Sequence, residues 1–207
     1  MTQDSCHPNL PVRNCCQSGS AAAEAARALR FSPAWAGPGL GRGRRSAIDQ
    51  EKEVRNSLKS YLDWHEAHAD LKAGLKDFPE KMRGKRPEGW PHSAWELLEH
   101  MRISTHDILE FSRNAKHQSP DWPSGYWPEK PEPASAAAWD KSVKALEHDL
   151  EEMRRLVANP KTDLFAKIPH GTGQTIFREV LLIADHNAYH LGQLVLVRRL
   201  LGCWPAN

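Results

Sequence analysis

Apolar residues recur at the helical period in four long segments of the 207-residue chain, and proline-rich stretches separate these segments. The predicted helices cover about residues 48–78, 93–111, 135–158 and 175–203. No segment carries a convincing alternation of apolar and polar residues, the pattern of a half-buried strand. We therefore expect an all-α protein that folds as a four-helix bundle.

The second predicted helix begins with a capping signal, and a long loop follows its end. Ser93 and Glu96 have the spacing of a capping box, in which a hydroxyl and a carboxylate satisfy exposed N–H groups at the helix start. Residues 118–133 read QSPDWPSGYWPEKPEP and hold five prolines, which exclude a helix there. A proline-rich and aromatic loop is thus predicted between helices 2 and 3, and its length leaves an up-down-up-down order unproven.

The N-terminal part of the chain differs in composition from the rest. Residues 1–47 are rich in Gly, Pro, Ser, Ala and Arg and offer little apolar surface to offset the entropy of ordering. We expect a disordered low-complexity tail over residues 1–47 and a bundle domain over residues 48–207. Six arginines against two acids give the tail a charge of +4, which leaves −2 for the remainder. A bundle without a basic excess argues against nucleic acid as a partner.

The cysteines and the hydropathy bear on the compartment. Three cysteines lie in the tail and the fourth is Cys203, with no spacing typical of a disulfide framework. No run reaches the roughly 18 apolar residues of a membrane span, and the tail lacks the apolar segment of a secretory signal. The sequence therefore predicts a cytoplasmic protein without a membrane partner.

Two histidines in the last predicted helix have the spacing of metal ligands. The stretch DHNAYHLGQL, residues 185–194, places His186 and His190 four residues apart, on one helix face. His100, on the apolar stripe of the second helix, is the most economical third ligand. The alternative is three hydrogen-bonded core histidines, but buried imidazoles without partners would each cost stability.

Three imidazoles on rigid helices make a site that suits a divalent ion. Zn²⁺ and Ni²⁺ are the expected ions, with Fe²⁺ and Mn²⁺ as alternatives. A structural zinc site normally has four protein ligands, and no cysteine is placed to close this one. The pattern therefore predicts an open site, with positions left for water or substrate.

Several further polar residues are weaker candidates for this site. His68 and Glu179 are the pocket candidates, although His68 also fits a packed or partly exposed histidine, and Glu179 is more readily explained as solvent-exposed. Gln193, one turn past His190, is a candidate for orienting a ligand imidazole. Asp107 lies about 10 Å along the helix from His100, so we expect it to be solvated or to make a polar contact between helices.

Aromatic residues of the long loop form a last group. These residues are Trp122, Tyr126 and Trp127. They either cover the site as one wall of a pocket or only anchor the loop on the bundle, and the second role is favoured. Asp185 and Asn187 point away from the direction of His186 and are expected to be interface or capping partners, not ligands.

Four stretches taken together resemble the DinB-like (damage-inducible, YfiT-like) family of bacterial helical-bundle proteins: SAWELLEHMRISTHDILEFS, DWPSGYWP, IPHGTGQT and DHNAYHLGQLVLVRRLLG. The similarity covers about residues 50–205. It implies a four-helix bundle, often dimeric, that holds a divalent metal between helices. The histidine triad of the family, one from LxEH and two from HxxxH, falls on His100, His186 and His190.

The reaction, if there is one, must come from the metal, because the sequence has no nucleophile motif and no phosphate-binding loop. Related members of the superfamily are thiol transferases and isomerases, so the resemblance implies transfer of a small-molecule thiol to an electrophile. A metal-dependent hydrolase and a non-catalytic, stress-associated metal-binding protein are the alternatives. The last helix is apolar on more faces than one core requires, which predicts a homodimer through this helix or the first.

Overall fold

The computed structural model describes residues 46–62 and 68–205. The predicted tail, apart from its last two residues, lies outside the described residues, as does His65, which shares the apolar stripe of the first predicted helix with His68. Within them the fold is all-helical, as predicted, and no helix in this part is long and apolar enough to cross a membrane. The helices are α1 Ala47–Tyr61, α2 Leu71–Leu75, α3 Ala94–Arg113, α4 Ala136–Ala158 and α5 Ile176–Leu200, and short 3-10 turns cover Glu80–Met82 and Ser124–Tyr126.

Polar side chains cap the starts of the three longest helices. The Ser93 hydroxyl accepts the N–H of Glu96, and the Glu96 carboxylate accepts the N–H of Ser93 at 2.8 Å, so the predicted capping box is confirmed. Ser135 caps α4 and Thr175 caps α5 in the same way, each accepting the N–H three residues further on. These local interactions explain why the predicted and observed starts of α3, α4 and α5 agree closely.

The first predicted helix, expected over residues 48–78, is interrupted. Helix α1 ends at Tyr61, and α2 begins after Asp70, whose carboxylate accepts the N–H of Ala73 at 2.6 Å. The backbone of Asp70 is extended, with ψ at 171°, which is incompatible with a continuous helix. Leu75 and Phe78 nevertheless reach the core, so the apolar period survives across the break.

Contacts between helices establish that α3 and α4 run in the same direction. His106 of α3 contacts Asp149, and Arg113 contacts Glu152, so the partner numbers rise together along both helices. The loop between them therefore carries the chain back along the length of the bundle, as long crossover connections do in other bundles.

Helices α1 and α5 run against this pair. On α5, His190 lies by His100 while Asn187 contacts Thr105, so the numbers fall as those of α3 rise. On α1, Arg55 donates to the carbonyl of Val157 and the carbonyl of Leu62 accepts from Arg154, which again is an antiparallel pattern. The four long helices thus follow an up-down-down-up order.

The core lies between α3, α4 and α5, with α2 packed against α5. Gly74 of α2 allows this approach, because a Cβ there would lie 2.8 Å from a methyl of Leu191. Arg198, only 1% exposed, donates to the carbonyls of Ala73, Gly74 and Asp77 and ties α2 to α5. Side chains without any exposure include the following residues: Leu97, Leu98, Met101, Leu109, Leu146, Met153, Val157, Val180, Ile183, Leu194 and Val197.

Candidate metal centre

Three histidines from α3 and α5 meet inside the bundle. His100 and His190 are buried and His186 is half-buried, and one ring nitrogen of each lies within 4.8 Å of the others. The Nε2 atoms of His100 and His186 are 3.1 Å apart. The structure therefore brings together the three histidines singled out in the sequence, and within the described residues this group contains no carboxylate or thiol.

The local structure explains how these rings converge. His186 and His190 lie one turn apart on α5, so their ring centroids are 4.5 Å apart. Antiparallel packing of α3 against α5 then places His100 opposite both of them, with centroids 4.9 Å from His186 and 4.5 Å from His190.

Hydrogen bonds select the ring nitrogens that face the group. Nδ1 of His100 lies 2.9 Å from the carbonyl oxygen of Tyr126, and because a carbonyl only accepts, Nδ1 carries the hydrogen. Nδ1 of His190 lies 2.8 Å from Oε1 of Gln193, in the same arrangement. Gln193 thus stands where an orienting partner was predicted, and Nε2 of both rings keeps a lone pair.

Burial lowers the pKa of all three imidazoles. Burial, with repulsion from His190, lowers the pKa of His100 to about 4, and burial with the charges of both other rings lowers that of His186 to about 3. The pKa of His190 is lowered as well, again chiefly by burial. The three rings are therefore neutral at neutral pH, which is the form that binds metals.

The spacing of His100 and His186 fits a first-row divalent ion. Two imidazole nitrogens at about 2.0–2.1 Å from Zn²⁺ are roughly 3.3 Å apart in a tetrahedral site and roughly 2.9 Å apart at a right angle. The observed 3.1 Å between Nε2 of His100 and Nε2 of His186 lies between these values. Two facing lone pairs repel at this distance unless a cation or a proton lies between them, so the donor set matches what a metal requires.

The loop between α3 and α4 covers one side of this group. The Trp127 indole stacks on the His100 ring, with centroids 4.0 Å apart and an angle of 1°, and also on His92 at 4.3 Å and 11°. Tyr126 is 2% exposed, and Trp122 packs against its ring. Trp127 and the carbonyl of Tyr126 thus contact a candidate ligand, and Trp122 packs behind them on the Tyr126 ring. Sequence reasoning missed His92, which precedes the cap of α3 and follows no periodic pattern.

Asp107 differs from its predicted environment. Its side chain is not solvated but 3% exposed, and it accepts a hydrogen bond of 2.6 Å from the Tyr126 hydroxyl and one of 2.8 Å from Nε2 of His117. Both partners follow α3 in the chain, so Asp107 connects this helix to the loop and not to another helix. A loop that returns along the bundle buries polar positions that would face water on an isolated helix.

The two pocket candidates lie outside the three-histidine group. Glu179, expected in solvent, is 2% exposed and pairs with Arg178 at 2.5 Å, and burial raises its pKa. His68 is exposed, with Nδ1 2.9 Å from the carbonyl of Ala69. The exposure expected for Glu179 is therefore wrong, because in the packed bundle this side chain lies near Asp107 of α3 and is shielded from water.

The remaining polar residues near the group either face solvent or make hydrogen bonds elsewhere in the bundle. Asp185 is exposed, while Asn187 is buried and donates to the Thr105 hydroxyl at 3.1 Å. His170 donates from Nε2 to the carbonyl of Phe111 at 2.6 Å. That contact joins the segment before α5 to the end of α3.

One comparison with known proteins gives a family match. The family model described as the DinB superfamily matches residues 63–194, well over half of the chain, and the match includes all three histidines of the group. Searches of curated proteins and of solved structures give no match. On the strength of the family match, the chain belongs to the DinB superfamily.

Proposed function

We propose that the protein binds a divalent metal ion through His100, His186 and His190 and that it is a metal-dependent enzyme of the thiol-transferase type. The observation that carries the proposal is the convergence of three neutral imidazoles within 4.8 Å, without a fourth metal-binding side chain in the group among the described residues. Zn²⁺ or Ni²⁺ is the expected ion, with Fe²⁺ or Mn²⁺ as alternatives. Three protein ligands leave room for a further, exchangeable ligand.

The protein residues of this site would bind and orient. When bound, the ion would supply a Lewis acid that lowers the pKa of a small-molecule thiol toward neutrality. The Tyr126 carbonyl and Gln193 hold the rings of His100 and His190 with Nε2 available. Trp127 covers the face of the His100 ring and excludes water from it.

The surroundings of the group favour a thiol over water as the bound nucleophile. Zinc hydrolases with the H-E-x-x-H pattern use the glutamate after the first histidine as a general base. Asn187 stands at that position here, buried and bonded to Thr105, and Glu179 is paired with Arg178. A thiol, with a pKa of about 8.5, needs far less help to ionise than water, with a pKa of about 15.7.

Metal analysis tests the ligand assignment. We expect the purified wild-type protein to bind about one ion per chain, and His186→Ala and His190→Ala to lose most of it. His148→Ala is the matched control, because His148 is an exposed histidine on α4 that is not in the group. Undiminished metal content in the His186 and His190 variants would refute the assignment.

An activity screen separates the candidate functions. Low-molecular-weight thiols are incubated with a chromogenic aryl halide and the Zn²⁺, Ni²⁺ or Mn²⁺ form, and hydrolysis of an activated ester is measured in parallel. Conjugation that a chelator abolishes and that His186→Ala lacks would support thiol transfer. Ester hydrolysis alone would favour the hydrolase, and stoichiometric metal with neither reaction would favour the non-catalytic metal-binding protein.

We also propose a homodimer in the cytoplasm, with a small-molecule thiol as substrate and no nucleic-acid or membrane partner. Support for the dimer comes from α5, which exposes four apolar side chains to between 38% and 56%: Leu181, Tyr189, Leu196 and Leu200. Sedimentation equilibrium of the wild type and of a Leu196→Glu, Leu200→Glu variant tests this. A monomeric mass for the wild type would contradict it.

A further inference from the structure

A chain of buried contacts connects Asp107 to the candidate ligand His100 by way of the loop. The Asp107 carboxylate accepts the Tyr126 hydroxyl at 2.6 Å, and the carbonyl of the same tyrosine accepts Nδ1–H of His100 at 2.9 Å. All three residues are at most 4% exposed. Asp107 and His100 both lie on α3, two turns apart, so this series of contacts leaves a rigid helix and returns to it.

The middle of this series of contacts is the backbone carbonyl of Tyr126, which lies in a segment with little regular structure. Between the end of α3 at Arg113 and the start of α4 at Ala136, the only regular element is the 3-10 turn Ser124–Tyr126. A carbonyl in such a segment is placed by the side chains that anchor the segment. The side chain of Tyr126 is the anchor nearest to the carbonyl, because both belong to one residue.

Asp107 is well suited to hold that anchor. A buried carboxylate requires donors, and Asp107 has two, the hydroxyl of Tyr126 and Nε2–H of His117 at 2.8 Å. Burial and the negative charge of Asp107 raise the pKa of Tyr126, so its phenol keeps the hydrogen that it donates. In this hydrogen bond the Tyr126 hydroxyl is therefore the donor and the Asp107 carboxylate is the acceptor.

The same loop segment also defines the plane of the ligand ring. Trp127, the residue after Tyr126, stacks on His100 at 4.0 Å with an angle of 1° between the rings. One residue thus accepts the Nδ1 hydrogen and the next restrains rotation of the ring. Displacement of this segment would release both restraints on His100.

We propose that Asp107 and Tyr126 are positioning residues of the metal site, and that their hydrogen bond holds the loop so that His100 presents Nε2 to His186 and His190. The inference rests on the metal binding proposed above and is independent of thiol transfer. Groups that orient a ligand histidine typically contribute about 10-fold to 100-fold in metal affinity. Tyr126→Phe should therefore weaken Zn²⁺ binding by about tenfold or more, whereas Asp107→Asn, whose amide oxygen still accepts from the hydroxyl, should weaken it less.

The experiment compares Zn²⁺ affinity in folded proteins. Competition with a chromophoric chelator is measured for the wild type, Tyr126→Phe and Asp107→Asn, at a temperature where circular dichroism shows each to be fully folded. Leu146→Ala is the control, because Leu146 is fully buried on α4, which carries no residue of the chain of contacts. We expect Leu146→Ala to lower the melting temperature at least as much as Tyr126→Phe does and to keep the wild-type affinity.

A measurement on the metal-free protein gives a second readout. Proton–nitrogen correlation spectra of the histidine rings report which ring nitrogen carries the hydrogen. His100 should show a single Nδ1–H form in the wild type and a mixture of the two tautomers in Tyr126→Phe. A purely structural role for Tyr126 would lower stability without changing this ratio.

The outcomes separate this inference from the proposed function. Wild-type affinity together with an unchanged His100 tautomer in Tyr126→Phe would overturn the inference and leave metal binding intact. Failure of the wild type to bind Zn²⁺, Ni²⁺, Fe²⁺ or Mn²⁺ would overturn the proposed function and the inference with it. Weakened binding and a mixed tautomer in Tyr126→Phe, with normal binding in Leu146→Ala, would support both.

Discussion

Acidification of the metal-free protein from pH 7 to pH 5 should destabilise it through the buried histidines. Burial lowers the pKa of His100 to about 4 and that of His186 to about 3, whereas a histidine in an unfolded chain titrates near 6.5. Below pH 6.5 the unfolded chain therefore binds protons that the folded protein excludes. The free energy of unfolding consequently decreases as the pH is lowered. The loss continues until the pH reaches about 4 for His100 and about 3 for His186.

The size of this loss follows from the pKa values. Each pH unit below 6.5 costs about 1.4 kcal/mol per neutral buried histidine, so at pH 5 His100 and His186 each cost about 2 kcal/mol. The total of about 4 kcal/mol is a large part of the 5–15 kcal/mol typical of a domain. Glu179 acts in the opposite direction, because burial raises its pKa and the folded state takes up its proton first. A Glu179→Gln background removes that opposing contribution.

Urea unfolding of the chelator-treated protein at pH 7, 6 and 5 measures the loss. His100→Gln should reduce the pH dependence by about 2 kcal/mol, whereas His148→Gln, at an exposed histidine of α4, should retain all of it. A change of less than about 1 kcal/mol in the Glu179→Gln background between pH 7 and 5 would refute the reasoning. An identical pH dependence in the wild type and His100→Gln would refute it as well.

Three further substitutions test individual contacts. Ser93→Ala removes the cap of α3 and a hydrogen bond to the Pro131 carbonyl, and should lower the free energy of unfolding by about 1–2 kcal/mol in urea titrations. Arg55→Lys cannot reach all three carbonyls at the end of α4 that the guanidinium contacts, and should cost about 2 kcal/mol in the same assay. Gln193→Ala should weaken Zn²⁺ binding about tenfold, measured by chelator competition, because His190 loses its orienting partner, while the urea midpoint of the metal-free protein stays close to that of the wild type.

The helices were predictable where the signal is local. Ser93 and Glu96 are three residues apart, so their capping box is readable from sequence and is present in the structure. The break between α1 and α2 was missed because the apolar period continues across it to Leu75 and Phe78. A period reports which face is buried, whereas the cap at Asp70 that restarts the helix is a single side-chain contact.

The candidate ligands were also predictable, because their placement follows from the geometry of single helices. The spacing of His186 and His190 places both rings on one helix face, and the apolar stripe of α3 indicates that His100 faces inward. Helical phase also placed Gln193 beside His190, one turn away on the same helix, where the hydrogen bond is found. Each of these inferences concerns one helix and its own geometry.

By itself, the sequence determined the positions of α3, α4 and α5 and the faces on which the three histidines lie, because helical periodicity and capping act over a few residues. Only the tertiary structure decided that α3 and α4 run parallel and that the returning loop buries Asp107 against Tyr126. It also decided that a loop carbonyl orients His100, a contact between residues 26 positions apart. No period links such residues, since an irregular loop between them can place its groups in many ways until packing against the bundle selects one.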